Sequence, residues 1–210
     1  PEIHCLHAEP DAQATARTLS YYPGLTRLVG SESDALRVAD LAAATEREAL
    51  AESATDPKDY LTSLRVRLGF ALDPREGLAR LFELSSKTNQ FNAALKRFSE
   101  AEVARRLADP ECRTVSIRLR DRLSDSGVIA GLFARREGDR LVVDELCISC
   151  RALGRGLEDL MVTEALLKVL SELPAPQVAF SYREGPRNGP ARDWLARYTG
   201  AELAGPEGLA

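Results

Sequence analysis

CISCRALGRGLEDL, residues 147–160, puts two thiols at the end of an apolar run and an Arg-x-x-Gly-x-Gly loop directly after them. The run before it, RLVVDELCIS, reads as a strand. The run after it, GLEDLMVTEALLKVLSELP, reads as a long amphipathic helix ended by Pro174. A glycine loop at such a junction lets backbone N–H groups approach a ligand closely. The helix start adds unpaired donors and the positive end of its dipole. Together these suit an anion such as pyrophosphate, held by Arg151, Leu153, Gly154, Arg155 and Gly156, with the two arginines adding charge. The alternative is a plain glycine turn.

Outward from this loop the pattern alternates. CRTVSIRLRDRL sets Val115, Ile117 and Leu119 against polar neighbours, which predicts a strand. SGVIAGLFARREG predicts a second strand, with a hairpin turn at Glu137-Gly138-Asp139 leading into the third. QVAFSYR predicts a further strand after the long helix, and RNGPARDWLARYTGAEL a last helix. EGLARLFELSSK fits either a strand or a helix end, and FNAALKRFSEAEVARRLADP carries helical spacing up to Asp109-Pro110. Upstream, residues 11–24 read as a helix stopped by Pro23-Gly24. SESDALRVADLAAATEREALAESA reads as one long helix capped by Ser31 or Ser33. DPKDYLTSLRVRLGF opens on a helix-start signal and then turns apolar. The order predicts an α+β layered domain over residues 76–210, preceded by a helical linker or extension over residues 1–75.

The chain has 210 residues, 44% of them hydrophobic, and a net charge of −4, so no basic nucleic-acid footprint is expected. No apolar run reaches the roughly 18–20 residues of a membrane span, and no signal-peptide pattern opens the chain. The expectation is a cytoplasmic protein with no membrane partner. The chain opens on Pro1 rather than Met, which reads as a piece of a longer polypeptide. Four cysteines are then thiols, and the only close pair, Cys147 and Cys150, has its two histidines, His4 and His7, far away, so no metal is expected.

The loop, the three-strand meander before it and the helix–strand–helix after it resemble the GNAT acyltransferase fold. KTNQFN (87–92), RFSEAEV (97–103), DRLSDSG (121–127), ISCRALGRGLED (148–159) and SYREGPRN (181–188) together resemble the C-terminal part of FkbH-like proteins. That resemblance implies a GNAT-like domain following a phosphatase-type domain, supplied in cis or in trans. It implies that the glycine loop binds the phosphate of CoA or of carrier-bound phosphopantetheine, and that the thioester lies where the fourth and fifth strands splay. The implied activity moves a glyceryl unit from 1,3-bisphosphoglycerate onto the pantetheine thiol of an acyl carrier protein, for polyketide extender units. The phosphatase Asp-x-Asp is missing, so no phosphatase activity is expected of this chain. The family's threonines after NQFN are Ala94 and Leu95 here, its Pro-Thr is Glu184-Gly185, and Leu195 stands where many GNAT enzymes carry a tyrosine acid. Those departures support an alternative, a non-catalytic GNAT domain that binds carrier protein or docks a phosphatase partner.

Cys150 is the candidate nucleophile. Arg151, Arg155 and a helix start would favour its thiolate, which can accept an acyl group and pass it on. Its alternative is a small buried apolar residue; Cys147 reads as core. Asp144 and Glu145 are adjacent on a strand, so only one would face the cleft, where it could act as general base. Asn89, Gln90 and Asn92 would fix substrate or stitch a loop. Asp121, Arg122 and Asp125 would contact the phosphoglyceryl end or serve a surface turn. Tyr182 and Asn188 are substrate-binding candidates by resemblance. Arg118, Arg120, Arg122, Arg135 and Arg136 would steer an acidic carrier protein.

Overall fold

The computed structural model describes residues 6–8, 10–22, 32–54 and 56–210. The chain divides into two compact units, Pro1–Ala35 and Leu36–Ala210. In the first, helix α1 (Ala12–Tyr21) is capped by Asp11, whose carboxylate accepts from the Gln13 N–H at 3.0 Å, and it buries no residue. Helix α2 (Glu32–Ala42) runs across the division between the units. The proposed cap Ser31 lies outside the described residues, and Ser33 is inside the helix.

The second unit is an α+β sandwich around a six-stranded sheet. The single long helix expected over residues 31–54 breaks at Ala43 into α2 and α3 (Ala44–Ser53). Helix α4 (Pro57–Leu64) starts with Asp56 capping and Pro57 in the first turn, where a missing N–H costs nothing. The strands are β1 (Arg67–Leu72), β2 (Cys112–Arg120), β3 (Asp125–Glu137), β4 (Arg140–Ile148), β5 (Gln177–Arg183) and β6 (Glu207–Leu209), in that spatial order. Helices α5 (Leu78–Lys87) and α6 (Glu100–Ala108) fall between β1 and β2. Helix α7 (Glu158–Glu172) crosses from β4 to β5, and α8 (Gly189–Thr199) follows β5. EGLARLFELSSK is therefore helical. Its apolar residues Leu81 and Leu84 recur at i, i+3 and both are buried.

The compact unit begins at Leu36 rather than at residue 76. β1, inside the stretch expected to be a linker, pairs antiparallel with β2 along its whole length, Arg67 opposite Arg120 through Leu72 opposite Val115. Leu64 is fully buried. All neighbours are antiparallel except β4 and β5, which run parallel over Arg140–Val143 and Gln177–Phe180, joined by α7. Beyond Val143 and Phe180 these two strands separate.

Two apolar layers flank the sheet. Met161, Val162, Ala165 and Val169 of α7 and Trp194 and Leu195 of α8 pack on Val115, Ile117, Leu132, Leu141, Leu146 and Ile148. On the other face Leu81, Leu84, Phe98 and Val103 pack on Phe133 and Cys147. Ile117 sits in the middle of the larger layer with no exposed surface. Ile117→Ala is expected to cost about 2–5 kcal/mol of unfolding free energy, read as a lower urea midpoint with unchanged slope.

Candidate functional site

The ladder between β3 and β4 passes from Phe133 opposite Glu145 to Ala134 opposite Val143, so Asp144 has no partner residue. This bulge reverses the alternation along β4. Leu141 and Val143 face the α7 side, and so do Leu146 and Ile148, while Cys147 faces α5. Asp144 and Glu145 consequently share the α5–α6 face, where the period-two rule had allowed only one of them. Neither is placed as a solvent-reached base. Asp144 is held by Arg106 at 2.5 Å and by Arg135 at 3.0 Å. Glu145 has no exposed surface. Its Oε1 accepts from Ser85 Oγ at 3.0 Å and Asn92 Nδ2 at 2.7 Å, and its Oε2 from the Lys96 N–H at 2.8 Å. Burial pushes the Glu145 carboxyl above its ordinary value, against the pull of those donors.

The hydrogen bonds of Glu145 fix the loop from Asn92 to Phe98. Just before it, residues 91–93 enter the gap between the separated strands. Ala93 N–H donates to Leu146 O at 3.0 Å, and Ile148 N–H to Phe91 O at 2.8 Å. On the far side Arg183 N–H donates to Ala93 O at 2.9 Å. Asn92 forms an antiparallel bridge with Cys147, and the Phe91 ring packs 5.4 Å from Trp194. The gap implied by resemblance as the thioester cleft is thus filled by the chain itself. The β4 edge groups at Leu146 and Ile148, on which a pantetheine arm would have to pair, are already hydrogen-bonded to Ala93 and Phe91.

The remaining amide candidates also serve this insertion. Asn92 is buried, with Oδ1 accepting from the Leu95 N–H at 2.8 Å. Asn188 is buried. It donates to Asn92 O at 2.9 Å and to Arg183 O at 2.8 Å, and accepts from the Gly185 N–H at 2.8 Å. Asn89 is exposed and accepts from Arg97 at 2.6 Å, and Gln90 is exposed. Tyr182 is buried with its hydroxyl on Ala204 O at 3.0 Å, although it lines a cleft of about 450 Å³ together with Lys96, Ser181, Arg183 and Glu207.

Four buried charges tie the glycine loop to the helices upstream. Arg155 donates to Asp121 at 3.1 Å and lies 3.7 Å from Asp40. Arg47 bonds Asp121 at 2.9 Å and Asp40 at 2.9 Å. Ser124 and Ser126 hydroxyls complete Asp40 at 2.7 and 2.9 Å. Asp121 also closes its own turn, accepting from the N–H groups of Leu123 and Ser124. Arg155 is therefore spent on internal carboxylates and does not face a phosphate. Asp125 pairs with Arg118 at 2.6 Å, and Arg122 lies 3.5 Å from Glu46. Arg135 and Arg136 pair with Asp144 and Glu111, so most of the expected steering cluster is neutralised locally.

What stays open is the backbone of the loop. Gly154 and Gly156 have φ of +78° and +67°, and nothing stands within 4 Å of where a Cβ would project. Leu153 packs against the core, and Ala152 N–H bonds Ser149 O at 2.9 Å, so the turn is anchored at its start. Cys150 is exposed at the rim, which removes the buried-residue alternative for it. Cys147 is buried, its thiol 3.6 Å from Gly131 O. Burial, with the nearby Glu145 charge, pushes that thiol up and out of reach of nucleophilic chemistry. The sequence reading missed Ser85 and Lys96. Ser85 sits on a helix face that the notation of apolar spacing ignores, and Lys96 is flanked by no motif residue of its own kind.

No protein-family model matches the chain, and no curated protein matches it. Solved structures do. A ribosomal-protein-alanine N-acetyltransferase from Brucella melitensis biovar Abortus 2308 is 13% identical over 66% of this chain and 93% of its own, with a TM-score of 0.46. An aminoglycoside N-acetyltransferase in complex with CoA is 9% identical over 67% of this chain and 91% of its own, TM-score 0.48. A GNAT-family acetyltransferase from Streptococcus pneumoniae is 13% identical over 67% and 86%, TM-score 0.45. The antiparallel meander, the helical crossover and the parallel β4–β5 junction that splays at its end are the arrangement expected from the GNAT resemblance. Among the described residues, no helix is long and apolar enough to cross a membrane.

Two outcomes test this arrangement. Burial alone would raise the Asp121 carboxyl, but Arg47 and the backbone donors of its turn outweigh it and hold the group below its ordinary 3.8. The stability it contributes is complete above that value and is lost as pH falls through the lower folded value. Asp121→Asn is expected to flatten the acid limb of a urea-stability profile and to remove about 3 kcal/mol at neutral pH. Asn188→Ala strands three backbone partners. It is expected to cost about 2–3 kcal/mol and to speed hydrogen exchange at residues 92–95 and 183–188 ahead of the rest of the sheet.

Proposed function

We propose that this chain is an acyltransferase module that moves a short acyl group, glyceryl from 1,3-bisphosphoglycerate, onto the phosphopantetheine thiol of an acyl carrier protein. The observation that carries this reading is the exposed thiol of Cys150 at the rim of a glycine loop whose backbone is open at the start of α7. The loop from Leu153 to Gly156 would hold the phosphate of carrier-bound phosphopantetheine by backbone donors and the helix dipole, without Arg155. The pantetheine arm, whether of CoA or of a carrier protein, would lie outside the β4–β5 gap, because Phe91–Ala93 occupies it.

In the transfer, the Cys150 thiolate attacks the acyl phosphate carbonyl, the carbon–oxygen bond to phosphate breaks, phosphate leaves, and a 3-phosphoglyceryl thioester remains on Cys150. The pantetheine thiol then attacks the thioester, its proton passing to solvent, and Cys150 is released as thiolate. A phosphatase-type domain, in cis or in trans, would hydrolyse the C3 phosphate ester with water, leaving the glyceryl unit and a second phosphate. The setting is cytoplasmic polyketide extender-unit synthesis. The second reading, a domain that binds carrier protein without catalysis, is favoured by a specific observation: Asp144, Glu145, Arg155 and the strand gap are all committed to internal contacts.

Intact-protein mass spectrometry separates the two. The chain is mixed with a glyceryl thioester of pantetheine and a holo carrier protein, beside Cys150→Ala. Transfer predicts a glyceryl mass on the carrier and a transient adduct on the chain that the variant lacks. Carrier acylation by both proteins would mean direct transfer with no covalent relay. No acylation, with carrier protein still bound, would establish the binding module.

A further inference from the structure

We propose that the cleft between the Asn92–Phe98 loop and the β5–β6 edge is a binding site for a small molecule carrying an oxyanion, a carboxylate or a phosphate, held by Lys96 and Arg183. The cleft, about 450 Å³, lies within the roughly 300–1,000 Å³ of ordinary small-molecule sites. Ala94 and Leu209 give it apolar walls, and Ser181 adds a hydroxyl. Its charged lining is two cations and one acid. Arg183 spends Nε and Nη2 on a single oxygen of Glu207, both at 2.9 Å. The Lys96 ammonium has no ion-pair partner among the described residues, and the residue lines the cleft. One positive charge is left over, on a lining large enough for a three-carbon acid.

The backbone that presents Lys96 is built for its position. Leu95 and Arg97, on either side of it, both take left-handed conformations, with φ of +53° and +59°. Side chains with a Cβ adopt these only where the surroundings impose them. Here buried Glu145 grips the Lys96 N–H at 2.8 Å, and Asn92 grips the Leu95 N–H at 2.8 Å. Arg97 turns away from the cleft and caps the end of α5, donating to Ser86 O at 2.5 Å and Thr88 O at 2.9 Å. Opposite, the Arg183 N–H is fixed on Ala93 O at 2.9 Å. The backbone of both cations is therefore fixed, that of Lys96 by Glu145 and that of Arg183 by the inserted segment. The backbone positions from which they extend are set before any ligand arrives, which lowers the ordering cost of binding.

The ligand's oxyanion bridges Lys96 and Arg183 and competes with Glu207 for the guanidinium. This inference does not depend on acyl transfer, and its test needs neither thioester nor carrier protein. Isothermal titration of the full chain uses inorganic phosphate, glycerate and 3-phosphoglycerate, so that phosphate and carboxylate are read separately. At least one is expected to bind saturably in the millimolar range or below. Lys96→Gln should weaken that binding about tenfold or more. Glu207→Gln should tighten it about threefold, by freeing Arg183. Lys168→Gln, which alters an exposed lysine on α7, should leave it unchanged. Because the two cleft variants are expected to move affinity in opposite directions, a general loss of folding cannot imitate the result. Absence of binding by all three probes, equal affinity in Lys96→Gln, or equal weakening by Lys168→Gln would overturn the proposal.

Discussion

In β4 the ladder to β3 skips Asp144, and two consecutive carboxylates come to face the same side of the sheet. Buried carboxylates must be paired or fully hydrogen-bonded, so each of them organises what lies above it. Asp144 draws in Arg106 and fixes α6, whose guanidinium also lies 4.8 Å over the Phe98 ring. Glu145 draws in Ser85 of α5 and the backbone of the Asn92–Phe98 loop. Because that loop is tied down, Phe91–Ala93 is delivered into the gap between β4 and β5, and Lys96 is turned toward the cleft. Without the extra residue, Asp144 and Glu145 would lie on opposite faces, and this loop would lose its buried anchor.

The same economy of charge governs the other end of the sheet. Arg47 and Arg155, with Asp40 and Asp121, form a compact neutral group that joins α2 and α3 to the β2–β3 turn and to the glycine loop. Taking one member away would leave its partner buried and uncompensated, which costs more than the pair contributes. The glycine loop is accordingly held from behind by an ion network, while its backbone at Gly154 and Gly156 faces outward with space before it. Rigidity on one side and openness on the other is what a backbone anion cradle requires.

The meander, the hairpin at Gly138 and the α7 crossover were legible because each has a short-range signature: period-two alternation, a turn residue, and a long amphipathic run. β1 was hidden, since in RLGFAL the edge strand meets the core only on alternate, partly buried residues. The break at Ala43 was hidden too, because alanine carries no stop signal. At the site, Asn92, Glu145 and Asn188 were among the candidates of the sequence, and the structure brings these three into one network. Their work there is to hold backbone. Sequence could not separate the two roles, since a buried amide that stitches a loop and one that orients a substrate have the same composition. Arg155 read as a phosphate ligand because its partners lie 34 and more residues away, at Asp121 and Asp40.

The insertion of Phe91–Ala93 also bears on how this protein stays monodisperse while it folds. Where β4 and β5 part, β4 would otherwise present a row of unpaired donors and acceptors at Leu146 and Ile148, the template on which strands from other chains add. The covering segment lies far along the chain from what it covers, 53 residues from Asn92 to Glu145 and 96 from Asn92 to Asn188. Contacts that close such long loops form late. During folding that strand border stays bare until the clasp made by Asn92 and Asn188 closes, and in the finished fold the clasp keeps it covered.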